Sequence, residues 1–93
     1  MEINVWLNTY RSNVLKQIDK EEEIKIRDIY FSNNIPEITL RKIIKEFTKN
    51  NLIIKEINPK SKREYILKIT NKGKILSKKI KEFEEIFNKE EDW

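Results

Sequence analysis

The apolar residues of this chain change period twice, and that restricts its folds more than any other feature. Up to Phe47 they recur at three- and four-residue steps, between Leu52 and Thr70 they alternate, and from Ile75 onward the helical spacing returns. Helices must therefore flank a pair of strands within 93 residues. A chain of that length is one domain's worth and buries only about 60–70% of its unfolded surface, which leaves little stability for a deep active-site cavity. It has no Cys and no His, which excludes disulfides, thiol nucleophiles, the common zinc sites and the usual neutral-pH acid–base group. A single Gly excludes glycine-rich phosphate loops. No enzyme, cofactor or metal site is expected. The runs Glu21-Glu22-Glu23 and Glu90-Glu91-Asp92 fix no ligand geometry and read as solvated faces.

The spacing predicts a first helix from Ile3 to Ile18, with Ile3, Trp6, Leu7, Tyr10, Val14 and Ile18 on one stripe. Lys20 to Glu23 reads as a polar connection. Ile24-Lys25-Ile26 alternates as a strand too short to stand alone. Arg27 to Asn33 predicts a short second helix anchored by Ile29 and Tyr30 and ended by Asn33-Asn34. Ile35-Pro36 marks a turn, because Pro excludes the preceding residue from the helical region and suits a first helical turn. A third helix is expected from about Glu37 to Lys49, burying Leu40, Ile43, Ile44 and Phe47, with Asn50-Asn51 supplying a left-handed end. Leu52–Ile57 and Tyr65–Thr70 read as strands. In the second, Tyr65, Leu67 and Ile69 share one face, and Ile66 and Lys68 the other. Asn58 to Glu64 reads as a cationic hairpin loop. Thr70 is placed to N-cap a last helix ending near Lys89.

The net charge of +4 conceals an uneven distribution. Residues 1–37 carry −2, residues 38–81 carry +11 and residues 82–93 carry −5. So basic a middle segment points to a polyanion, most simply nucleic acid. Composition tempers that signal. With 17 Ile, 16 Lys, 10 Asn and no Ala, the usage reflects A/T-rich codons, and Lys is abundant throughout. No apolar stretch approaches the roughly 18 residues that span a bilayer, and the N-terminus lacks the pattern of a signal peptide, so no membrane association is expected.

The stretch Ser61-Lys62-Arg63-Glu64-Tyr65-Ile66-Leu67-Lys68-Ile69-Thr70-Asn71-Lys72-Gly73 resembles the wing signature of MarR-type transcription regulators. That signature has an Asp-x-Arg pair, an apolar strand, Leu-Thr and then Gly. Arg63, Thr70 and Gly73 match, Ile69 replaces Leu, and Ser61 stands where Asp is expected. Phe47-Thr48-Lys49-Asn50-Asn51-Leu52-Ile53 is similar to the end of the family's recognition helix, with Asn51 at the Gly position. The resemblance covers roughly residues 24–76. It implies an α+β, mainly α, winged helix-turn-helix in the order helix, strand, helix, helix, two-stranded wing, helix. One domain spans 1–93, with its core at about 24–70 and residues 71–89 as a C-terminal dimerisation helix. MarR-type proteins are longer. A chain with one helix on each side of the winged core is also similar to small archaeal and archaeal-virus winged-helix proteins that dimerise through terminal helices.

The resemblance implies a sequence-specific regulator of double-stranded DNA, with helix 37–49 in the major groove and the wing at 58–64 on the backbone or minor groove. Thr39, Arg41, Lys42 and Lys45 would face the bases, Arg41 being the best guanine reader. Ile38 is assigned to packing within the domain, with contact to a thymine methyl as its alternative. Lys60, Lys62 and Arg63 would follow the wing's path along DNA, and Arg27 would reach a phosphate or pair with a nearby Glu. Leu76, Ile80, Phe83 and Phe87 form a 4-3-4 seam, expected to dimerise the chain or else to pack within it. No small-molecule ligand is expected. The protein is expected in the cytoplasm, nucleoid-associated, or in the host cytoplasm if viral. Two alternatives stay open: a sequence-independent, chromatin-type DNA-binding protein, and a winged-helix module for protein interaction.

Overall fold

The computed structural model describes residues 10–89, and the side chains of Lys62 and of residues 87–89 lie outside the described set. The elements are α1 (Tyr10–Glu21), β1 (Glu23–Lys25), α2 (Ile26–Asn33), α3 (Glu37–Lys49), β2 (Ile53–Asn58), β3 (Ser61–Ile69) and α4 (Asn71–Lys89). This is the expected mainly helical winged helix-turn-helix, with a small antiparallel sheet in the order β1-β3-β2.

α1 buries Ser12, Val14, Leu15 and Ile18. Its predicted start, with Trp6 and Leu7, lies outside the described residues. The helix runs through Lys20 and Glu21, which were expected in a connection; both are good helix formers when exposed. It stops at Glu22, whose φ of 63° is left-handed. The chain can then enter β1, which gains the partner that a three-residue strand needs: Glu23 pairs with Lys68, Ile24 with Leu67 and Lys25 with Ile66. Ile26 opens α2 instead of extending β1.

In α2 only one of the two expected anchors is buried. Ile29 is fully buried, whereas Tyr30 is 40% exposed and meets Phe31 edge to face. Adjacent helical positions point about 100° apart, so a single buried face takes Ile29 and turns Tyr30 outward. Asn34, with φ of 51°, ends the helix, and the Asn33 side chain bonds the Ile29 carbonyl and Gln17. Ile35 and Leu40 then enter the same core on either side of Pro36, the positions of a hydrophobic staple. α3 buries Leu40, Ile43, Ile44 and Phe47, as its spacing predicts. Its end is a Schellman turn: Leu52 N–H donates to Phe47 O at 2.9 Å and Asn51 N–H to Thr48 O at 3.2 Å, with Asn51 at φ of 60°. Asn thus does at two helix ends what Gly usually does.

The hairpin differs from its expected shape. The seven-residue loop contracts to a Pro59-Lys60 connection, and β3 begins at Ser61, so Lys62, Arg63 and Glu64 are strand residues. Those three residues have no partner on β2: they bulge between the Ile57–Tyr65 and Asn58–Ser61 pairs. Asn58 tightens the turn by accepting the Lys60 N–H at 3.0 Å, and the register shifts between Ile57 and Asn58. Ile66 and Leu67 are both buried although they lie on opposite faces, Leu67 within the main core cluster and Ile66 outside it. Thr70 caps α4 as expected: its Oγ accepts the Gly73 N–H at 3.0 Å. α4 returns along α1, held by Lys16–Glu84 at 2.9 Å and Lys81–Asp19 at 3.4 Å.

Candidate nucleic-acid interface

α2, α3 and the wing enclose an open cleft of about 1220 Å³. Four of the residues expected to touch DNA line it: Arg27 from α2, Arg41 and Lys45 from α3, and Arg63 from β3. Lys42 and Lys60 are exposed but stand outside the cleft, Thr39 is half-buried on α3, and the Lys62 side chain lies outside the described residues. The fold therefore brings together cations from three elements that are far apart in sequence.

Sequence reasoning missed two further cations of the cleft, Lys49 and Lys55. Lys49 was legible, because Arg41, Lys45 and Lys49 follow at four-residue steps along one stripe of α3. Lys55 was not. Its place depends on the β2–β3 register, which sets Lys55 opposite Leu67 and Ile57 opposite Tyr65, so that Lys55 and Tyr65 are diagonal neighbours on one face. The Lys55 Nζ lies 4.3 Å from the Tyr65 ring centroid, and the ring fixes the ammonium over the cleft.

The cations differ in how much of their charge is compensated. Arg41 bonds Glu37 one turn earlier at 2.6 Å, and Arg27 lies 3.3 Å from Glu64 of the wing, so it does pair with a Glu. Lys42, Lys45, Lys49 and Arg63 form no ion pair with a described residue. Lys68 is committed elsewhere. It bonds Glu56 across the hairpin at 3.0 Å, and that hydrogen bond, with the carboxylate's charge, raises its pKa above the ordinary 10.5. A raised lysine pKa keeps the ammonium charged through neutral pH, and its contribution to the pair fades only when pH climbs past 10.5.

Ile38 does not pack within the domain: it is 71% exposed on α3, beside Arg41 and Lys42. The helix has a single core-facing stripe, and Ile38 stands off it. The seam of α4 divides. Ile80 is fully buried in the intrachain core and Leu76 packs half-buried against it, whereas Phe83 is 42% exposed. The Phe87 side chain lies outside the described residues. Among the described residues no helix is long and apolar enough to cross a membrane.

A winged helix with cations lining its third helix and its wing defines a class, and the sequence agrees. The chain belongs to the winged helix DNA-binding domain family, whose model matches residues 7–73. Among curated proteins, none matches the sequence. Among solved structures, the chain is similar to an uncharacterised SlyA-like transcription regulator from Listeria monocytogenes, with 29% identity and a TM-score of 0.79 over 85% of this chain and 53% of that one. BpsR of Bordetella bronchiseptica, whose DNA binding is regulated by 6-hydroxynicotinic acid, superposes with a TM-score of 0.83 at 18% identity, over 94% of this chain and 62% of that one. A mutant of E. coli MarR in complex with operator DNA gives 0.70 at 17% identity, over 75% and 50%. At these lower identities the likeness is one of fold. The chain spans about half the length of the SlyA-like and MarR chains. The family and these relatives bind DNA or regulate transcription and are not enzymes.

Proposed function

We propose that this chain is a sequence-specific regulator of transcription that binds double-stranded DNA as a homodimer. α3 enters the major groove and the wing follows the backbone or the adjacent minor groove. The observation that carries this reading is the gathering of Arg27, Arg41, Lys45, Lys49, Lys55 and Arg63 around one cleft, opposed there only by Glu37 and Glu64 among the described residues. Such a surface suits the phosphates that flank a groove, and the exposed Ile38, Arg41 and Lys42 suit base edges.

Selection of bound duplexes from a random pool, followed by anisotropy titrations, tests the reading. The expected result is an enriched pseudo-palindrome with half-sites about one helical turn, roughly 34 Å, apart. Equal affinity for enriched and random duplexes points instead to a sequence-independent DNA-binding protein. No duplex binding at low salt refutes the DNA reading. It favours a protein-interaction module, for which Phe31 and Ile38, 73% and 71% exposed, offer an apolar surface.

A further inference from the structure

Among the described residues, Glu64 pairs with more cations than any other carboxylate. One oxygen lies 3.3 Å from the Arg27 guanidinium and the other 3.5 Å from the Lys25 ammonium, and the Asn58 amide donates to it at 3.3 Å. The carboxylate links β3 to the adjoining junction of β1 and α2, at the rim of the cleft. It thus offers two oxygens to two cations, which is how a phosphodiester would present its two non-bridging oxygens at the same place. Both ion pairs are longer than the roughly 2.7–2.9 Å of a tight charge-assisted bond, so the hold is loose. The Arg27 side chain is 60% exposed and that of Lys25 41%, leaving both open to an approaching anion.

We propose that Glu64 is an internal stand-in for a DNA phosphate: Lys25 and Arg27 form one backbone-phosphate site, and the Glu64 carboxylate fills it until a duplex displaces it. The inference rests on the DNA-binding reading above and adds a regulation of that same surface. In the free protein the carboxylate ties the wing to α2. On DNA its displacement weakens binding to every sequence alike, so that base contacts from α3 decide where the protein stays.

The test is anisotropy on a random-sequence duplex at low salt. It compares the wild type with Glu64→Gln, Glu64→Ala and the control Glu56→Gln, each also with Lys25→Gln and Arg27→Gln in place. Removing two loose surface pairs should tighten binding roughly 3–10-fold in both Glu64 variants, and clearly less in the Glu56 control. The gain should vanish once Lys25 and Arg27 are gone. Unchanged or weaker binding by both Glu64 variants overturns the proposal, as does a gain matched by the control or kept without the two cations. Should the first two variants melt below the assay temperature, Glu64→Asp, too short to reach both cations, must show the same gain. Failure of the wild type to bind any duplex removes the DNA-binding reading and this inference together. A binding wild type with inert Glu64 variants counts against the inference alone.

Discussion

The fold leaves no room for a side chain at Gly73. A Cβ there would lie 2.2 Å from the Leu52 carbonyl oxygen and 2.8 Å from Ile69 Cγ1. That oxygen cannot retreat freely, since it also accepts the Thr70 N–H at 3.1 Å and the Thr70 hydroxyl at 3.0 Å. Helix propensity alone would make Gly73→Ala stabilising by about 1 kcal/mol, whereas overpacking costs about 1–3 kcal/mol. The close approach is to backbone, so overpacking wins, and the urea midpoint should fall with the m-value unchanged. A raised midpoint would refute the close approach. Arg41 presents the opposite case. Its exposed pair with Glu37 is worth only about 0.3–0.5 kcal/mol, so the guanidinium is available to a guanine. Arg41→Ala should cost about 1–3 kcal/mol on a selected site and little on random DNA, as competition titrations would reveal.

The wing acts as an element because its strands run almost to the tip. Lys55 is presented from the hydrogen-bonded ladder, opposite Leu67 and steadied by the Tyr65 ring, whereas Arg63 stands on the bulge between the Tyr65 and Ser61 pairs. Both are expected to meet phosphates, which carry no sequence information. Changing Lys55 and Arg63 together to Ala should therefore weaken binding to all duplexes alike. The plot of log affinity against log salt should flatten by about 0.9 for each phosphate that is no longer neutralised. An unaltered slope would remove the wing from the interface. α3 contributes differently: its stripe Arg41, Lys45 and Lys49 faces the cleft, while Ile38 and Lys42 lie outside it.

For the whole molecule, the decisive packing is α4 against α1. Ile80 and the two cross-helix ion pairs, through Lys81 and Glu84, commit one face of the middle of α4 to its own chain, leaving Phe83 and Ile86 exposed at 42% and 59%. Apolar side chains at helical spacing on an exposed helix end suit a two-fold partner, in which each α4 would cover the other. Phe83→Asp should then shift sedimentation from dimer to monomer. Half-site binding should survive while affinity for the full palindrome drops. A wild type that sediments as a monomer at every concentration would leave this surface to another role.

The sequence by itself determined the elements. The 3.6-to-2 change of period located the helices and strands, Pro36 and Asn51 marked where α3 begins and ends, and Thr70 marked the start of α4. These features rest on local backbone chemistry, which neighbouring residues suffice to express. The tertiary structure decided the rest. Tyr30 faces outward because α2 has room for one anchor, Ile38 is exposed because α3 has one core stripe, and the wing tip tightened because Asn58 pairs with Ser61 and closes the turn over Pro59-Lys60. The cleft depends on strand register and on α2, α3 and the wing closing together, so Lys55 and Glu64 could not be assigned to it from spacing alone. Charge counts along a chain give the sign of a partner, but only packing between distant segments determines which charges meet one another and which are left to meet DNA.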